Sequence, residues 1–138
     1  MITNIKYVLG FAYTPDNKVL LIKKNKPEWQ KGKLNGIGGK IELNETPLEA
    51  MNRETLEESG LKLTWQAGGV IKGASFECYV FYTCDSSIQN YQQKEEEILN
   101  LYSLDSIKCL NCIDNVPSLI NIGIIKLTSN LQWFNFYY

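Results

Sequence analysis

Residues 46–60, TPLEAMNRETLEESG, specify local structure more tightly than any other stretch of the 138-residue chain. Thr46 is a good N-cap, Pro47 suits the first helical position, and Glu49 completes a T-x-x-E capping box. Gly60 supplies the stop, because glycine takes the left-handed turn at a helix end without a Cβ clash. These signals predict a helix over 47–59. At 100° per residue, Glu54, Glu57 and Glu58 share one 100° arc, being i, i+3 and i+4. Leu48, Met51, Thr55 and Leu56 are expected on the core-facing side. The small Ala50 is expected among the glutamates, with Glu58 at the boundary between the two arcs.

The acidic arc stands out against the rest of the chain. Residues 41–60 hold six acids and one base, Arg53, which is the only arginine. The remainder has 9 acids and 13 lysines, so a formal charge of −1 conceals a −5 segment and a +4 remainder. A solvated acidic face is the plain reading. Two considerations weigh against it. Exposed like charges at i,i+4 cost only a few tenths of a kcal/mol, whereas partly buried pairs roughly 6 Å apart cost about 3 kcal/mol each at an effective dielectric of 20. A partly shielded triple cluster therefore calls for a cation. The arc is also preceded by a Gly-rich segment, Asn35-Gly36-Ile37-Gly38-Gly39, where backbone can approach a ligand closely. Oxygen donors and no histidine point to Mg²⁺, with Mn²⁺ as the other candidate, over zinc or copper.

The absence of histidine excludes Ser-His-Asp and Cys-His nucleophiles, His-ligated zinc and H-E-x-x-H peptidases. Proton transfer near neutral pH falls to carboxylates, Lys, Tyr, Cys or water activated by a metal. The four cysteines, including Cys109-x-x-Cys112, are expected as free, inert thiols. No apolar run approaches the roughly 20 residues of a membrane span, and the N-terminus lacks a signal-peptide pattern. A cytoplasmic protein is expected.

Along the chain, residues 5–13 and 19–24 flank the turn Thr14-Pro15-Asp16-Asn17 and read as a hairpin. Residues 25–33 form a basic loop whose Trp29 is expected to pack partly against it, with stacking on a base as the alternative. Two strands are expected within 61–84, punctuated by Gly68-Gly69 and Gly73, then a polar loop at 85–94. Residues 116–127 fit helix or strand by periodicity, and helix is favoured. An α/β (α+β) sandwich follows, one domain over 1–128. Five aromatics in the tail 131–138 suggest a strand or arm packed on its own domain or on a twin subunit.

Residues 39–61, GKIELNETPLEAMNRETLEESGL, resemble the Nudix box, G-x5-E-x7-R-E-U-x-E-E-x-G-U with U apolar. Gly39, Glu45, Arg53, Glu54, Glu57, Glu58, Gly60 and Leu61 fall in register. Thr55, at the first apolar position, departs from the pattern and is expected to affect packing and not chemistry. Lys33 to Lys40 is similar to the approach to the box in the MutT and 8-oxo-dGTP diphosphatase branch. Asp114-Asn115-Val116-Pro117 resembles the loop of bacterial MutT that carries a base-reading Asn.

The resemblance implies a mixed sheet between helices with the box as loop–helix–loop, and hydrolysis of a nucleoside diphosphate linked to a further moiety, using Mg²⁺. By position, Glu54, Glu57 and Glu58 would hold metal, helped by the Gly38 carbonyl and by a glutamate of the 95–97 run, Glu96 by offset. Arg53 would orient the glutamates, Glu45 would act similarly from the loop, and Glu54 would take the proton from the attacking water. Gly38, Gly39 and Lys40 of the same approach would bind substrate, Lys24 would contact phosphate, and Asn35 and Asn115 have the donor and acceptor pair needed to read a purine edge. The implied activity is cleavage of a dNTP, or an oxidised purine dNTP, to the monophosphate and pyrophosphate by a monomer or homodimer, with no nucleic-acid or membrane partner. Hydrolysis of ADP-ribose or another dinucleotide is the alternative, and a nucleotide-binding module without catalysis a third.

Overall fold

The structure, a computed structural model, describes residues 4–129. The aromatic tail lies outside the described residues. The opening hairpin forms as expected: β1 (Ile5–Thr14) and β2 (Lys18–Lys23) pair antiparallel, with Ala12 opposite Leu20. Asn17 closes the turn at φ 65, a conformation Asn tolerates, and the Lys18 N–H donates to Thr14 Oγ1. Two short strands follow, β3 (Leu34–Asn35) and β4 (Ile37–Lys40), and then helix α1 (Pro47–Ser59). Strands β5 (Gln66–Lys72) and β6 (Phe76–Cys84) form the second antiparallel pair, β7 (Ile98–Ser103) lies against β2, and helix α2 (Val116–Ser129) is the last described element.

The seven strands make one mixed sheet in which β1 is central. It runs parallel to β6 along nine residue pairs, and its other edge is shared between β2 and β4. Alternation along β1 divides the core into two layers. Leu9, Phe11 and Tyr13 face α2 and pack with Val80, Tyr82, Leu119 and Ile120. Val8 and Ala12 face α1 and pack with Ala50, Met51, Trp65 and Phe81. Both faces are thus covered by a helix, the sandwich expected from the sequence. Tyr13 and Tyr82 fasten α2 by donating buried hydroxyls to the Ile120 and Leu119 carbonyls at 2.7 and 2.8 Å. Among the described residues no helix is long and apolar enough to cross a membrane.

Helix α1 starts and stops where its sequence dictates. The capping box is reciprocal: Glu49 N–H to Thr46 Oγ1 at 3.1 Å and Thr46 N–H to Glu49 Oε1 at 3.0 Å. Gly60 takes the left-handed cap at φ 73. Its rotation about the axis, however, differs from the expectation. The buried residues are Ala50, Met51, Thr55, Glu58 and Ser59, while Leu48 and Leu56 are 45% and 47% exposed. Glycines on the sheet set this roll. A Cβ at Gly10 would run into Met51, and one at Gly39 into the Glu54 carboxylate, so the helix settles onto its Met51–Glu58 side. Ala50 therefore sits in the core, and Glu58 lies within the buried arc.

Thr55, the departure from the box pattern, is nearly sealed at 1% exposure. Its hydroxyl donates to the Met51 carbonyl at 2.6 Å and accepts the Trp65 indole N–H at 3.1 Å. The position is polar because a buried indole docks there. Thr55→Val keeps the shape but orphans the Trp65 donor, and is expected to lower unfolding free energy by about 1–3 kcal/mol. Urea denaturation checks this, and an unchanged midpoint would contradict the assignment.

Candidate active site

The site is organised by Arg53. Its Nε and Nη2 grip both oxygens of Glu45, at 2.7 and 3.0 Å, in a bidentate pair. Nη1 reaches Glu54 Oε1 at 2.8 Å and Glu57 Oε2 at 3.3 Å, and Nη2 also donates to the Lys40 carbonyl at 3.0 Å. One guanidinium thus joins the loop before α1, the helix itself and the end of β4. Hydrogen bonding to Glu45, then to Glu54, raises the Arg53 pKa above its ordinary value despite opposing burial. The same Arg53 bond, with the Glu42 N–H at 2.9 Å, holds Glu45 below the usual carboxylate range.

Glu54 and Glu58 are in the opposite condition. The Glu54 side chain is only 13% exposed and lies over Gly39, where a side chain would collide with it. Burial raises its pKa against the lowering effect of Arg53. Glu58 is 6% exposed, and its Oε2 is enclosed without a hydrogen-bond partner. Burial first, and then the charge and hydrogen bond of Glu54, raise its pKa, with Lys24 opposing. An enclosed carboxylate oxygen lacking a donor, beside a second carboxylate, is an arrangement a hard divalent cation satisfies. Among the described residues no three acidic or thiol side chains converge at ligand spacing. Glu54 and Glu58 are adjacent, while Glu57 is 47% exposed and turned to Arg53.

The 95–97 run approaches through different members than expected. Glu96 is exposed, and no described contact ties it to the helix glutamates. Strands β2 and β7 place Lys23 opposite Ile98, so the next antiparallel pair is Lys24 with Glu97. Those two form an ion pair at 3.1 Å, both about four-fifths buried. Burial raises the Glu97 pKa, but the Asn25 N–H and Lys24 outweigh it and leave it lowered. It is Glu95 whose charge acts on Glu58. The β2–β7 register thus sets Glu97 beside Lys24, a placement that a count along the chain does not contain.

Beside the carboxylates, on the α2 side of the sheet, lies a cavity of about 870 Å³. All six residues expected to contact substrate line it: Lys24, Asn35, Gly38, Gly39, Lys40 and Asn115. Asn35 Oδ1 accepts the Gly36 N–H at 2.8 Å, which leaves the Asn35 NH₂ as the group to offer a ligand. Asn115 stands at the start of α2, where its carbonyl takes the Leu119 N–H. Trp29 lines it too, and three further lining residues were not anticipated for this role: Tyr7, Lys26 and Phe76. Trp29 was expected to pack, yet it is 64% exposed. The only sign in the sequence was its place among five lysines between 23 and 33. Cys78 also lines the cavity, and burial pushes its thiol up to about 12, which keeps it inert. All four cysteines are free.

The model of the NUDIX domain matches residues 4–117. The chain belongs to the Nudix family. Solved structures agree with that. A NUDIX-family hydrolase from Clostridium perfringens is 26% identical, with a TM-score of 0.76 over 91% of this chain and 99% of its own. MutT protein from Methanosarcina mazei Go1 shares the fold at 18% identity and TM-score 0.75, covering 92% and 97%. So does a bifunctional NMN adenylyltransferase/ADP ribose pyrophosphatase from Francisella tularensis, complexed with AMP and a Mn ion, at 18% identity and TM-score 0.78 over 91% of this chain and 42% of that one. This chain is a Nudix pyrophosphohydrolase, a class that typically uses a divalent metal.

Because the Glu58 pKa is raised on folding, Glu58 favours the folded state below the ordinary carboxylate range and loses that contribution as pH rises through its folded pKa. In chelator, the Nudix chain is therefore expected to lose stability between pH 5 and 8 relative to Glu58→Gln, by roughly 1–3 kcal/mol. Urea titrations across pH test this. Parallel profiles for the two proteins would contradict it.

Proposed function

We propose that this chain cleaves nucleoside triphosphates, dNTPs or oxidised purine dNTPs such as 8-oxo-dGTP, to the monophosphate and pyrophosphate, with Mg²⁺ held by Glu54, Glu57 and Glu58. The observation that carries the reading is that one cavity adjoins the carboxylate cluster through Gly39 and is lined by lysines at Lys24, Lys26 and Lys40 and by carboxamides at Asn35 and Asn115. Three cations suit a chain of phosphates, and two carboxamides above an apolar floor suit a neutral base with donors and acceptors on its edge.

Each residue then has a definable task. Glu58 supplies a buried, otherwise unpartnered oxygen to the cation, and Glu54 supplies the neighbouring carboxylate. Glu57 joins them by turning from Arg53, a movement its exposure permits. The Gly38 carbonyl is the further candidate ligand, and a glutamate of the 95–97 run would complete the set. Held by these residues, a divalent cation would supply charge to offset the phosphate oxygens and would lower the pKa of water for attack on phosphorus.

Arg53 holds Glu54 Oε1, so Glu54 Oε2 is left to accept the proton of the attacking water. Glu45 acts only through Arg53, fixing its guanidinium plane from two sides. Lys24 answers to Glu97 as well as to substrate, which positions its ammonium at the cavity wall. The Asn35 NH₂ offers donors to a base acceptor such as O6.

Glu57→Gln is expected to reduce turnover at least about 10²-fold while leaving thermal unfolding of the chelated protein unchanged. A panel of dNTPs, 8-oxo-dGTP and ADP-ribose, scored by phosphorus NMR, tests the substrate. Pyrophosphate released from triphosphates is the expected product. Inorganic phosphate as the product, or a preference for ADP-ribose, would overturn the assignment.

A further inference from the structure

We propose that Trp29 stacks on the base of the bound nucleotide, with Phe76 and Tyr7 forming the facing wall, and thereby sets affinity for the base. This rests on the nucleotide reading above. Trp29 sits on a 3₁₀ turn, Glu28–Gln30, in the connection from β2 to β3. That connection is closed at its base by Lys24 N–H to the Lys33 carbonyl at 2.9 Å and Gly32 N–H to the Lys24 carbonyl at 2.8 Å. Within it, the Gln30, Lys31 and Lys33 N–H groups bond the Pro27, Glu28 and Gln30 carbonyls. The backbone carrying Trp29 is thus held, while the indole itself is 64% exposed at the cavity wall.

At that exposure Trp29 contributes little to packing. A large aromatic exposed on a hydrogen-bonded loop leaves apolar surface in water that a flat ligand would cover. The facing wall is built differently. The Phe76 ring lies over Gly73, where any Cβ would collide with it, and stands edge-on to Tyr7 at 6.5 Å between centroids and 71° between planes. Each of those two rings already has a packing partner within the chain. The same closed connection supplies Lys24 and Lys26 at one end and Asn35 just beyond the other, so one segment addresses phosphate, ring face and ring edge. Stacking reads ring area and not edge pattern. Trp29 accordingly favours purines over pyrimidines and tolerates oxidised rings, leaving the choice among purines to Asn35 and Asn115.

The test uses dGMP, which has no anhydride bond to cleave, with deoxyribose 5-phosphate as the base-free control, both titrated calorimetrically into the full chain with Mg²⁺. Trp29→Ala is expected to weaken dGMP binding about 10- to 100-fold and Trp29→Phe to restore most of it. Deoxyribose 5-phosphate should bind the wild-type and Trp29→Ala proteins equally. Unchanged dGMP affinity in Trp29→Ala, or an equal loss for the base-free control, overturns the stacking role alone. Failure of the wild-type chain to bind dGMP at all overturns the nucleotide reading together with it.

Discussion

Three carboxylates, Glu45, Glu54 and Glu57, hydrogen-bond to a single guanidinium, and the rest of the site takes its form from that imbalance. Arg53 satisfies Glu45 completely, with two hydrogen bonds, and Glu54 and Glu57 with one oxygen each. Glu58, one helical turn beyond Glu54, is out of that reach and enclosed. A salt-bridge network of this kind contributes little stability by itself, because desolvation offsets much of the attraction. Its effect is geometric. Glu45 and the Lys40 carbonyl orient the arginine, the arginine orients Glu54, and the charge left over is concentrated at Glu54 and Glu58, where a divalent cation resolves it.

That concentration requires the helix to lie very close to the sheet. Gly39 admits the Glu54 carboxylate, Gly10 admits Met51, and Trp65 fixes the roll through Thr55. Strand β4, which contains Gly38 and Gly39, belongs both to the floor under the carboxylates and to the rim of the cavity. The carboxylate cluster and the cavity therefore share a wall, and a phosphate chain lying across the glycines would be next to both. The β2–β3 connection closes the other side with Lys24, Lys26 and Trp29.

Much of this was legible in the sequence because it depends on local rules. The capping box, Pro47 and Gly60 bound α1 to the residue, and Asn17 and Pro15 mark the first hairpin. Five cavity residues, Asn35, Gly38, Gly39, Lys40 and Asn115, were named from short motifs that keep their meaning wherever the fold places them, and Lys24 from its place at the end of the second strand. What was not legible depends on long-range geometry. The roll of α1 is set by glycines on β1 and β4, so helical periodicity alone placed Leu48 and Leu56 inside and Ala50 among the glutamates. The choice among Glu95, Glu96 and Glu97 is set by the β2–β7 register, which a count along the chain does not contain. The exposure of Trp29 follows from a closed loop whose hydrogen bonds are invisible in composition.

The central claim is that Glu54 and Glu58 form an oxygen site for a divalent cation, made by burying charge that Arg53 does not neutralise. Anomalous diffraction from crystals of the chain soaked in Mn²⁺ tests it most directly. The account predicts a Mn²⁺ peak within about 2.0–2.3 Å of carboxylate oxygens of both Glu54 and Glu58, lost in Glu58→Gln. A Mn²⁺ peak elsewhere, or one at the same place that persists in Glu58→Gln, would contradict it.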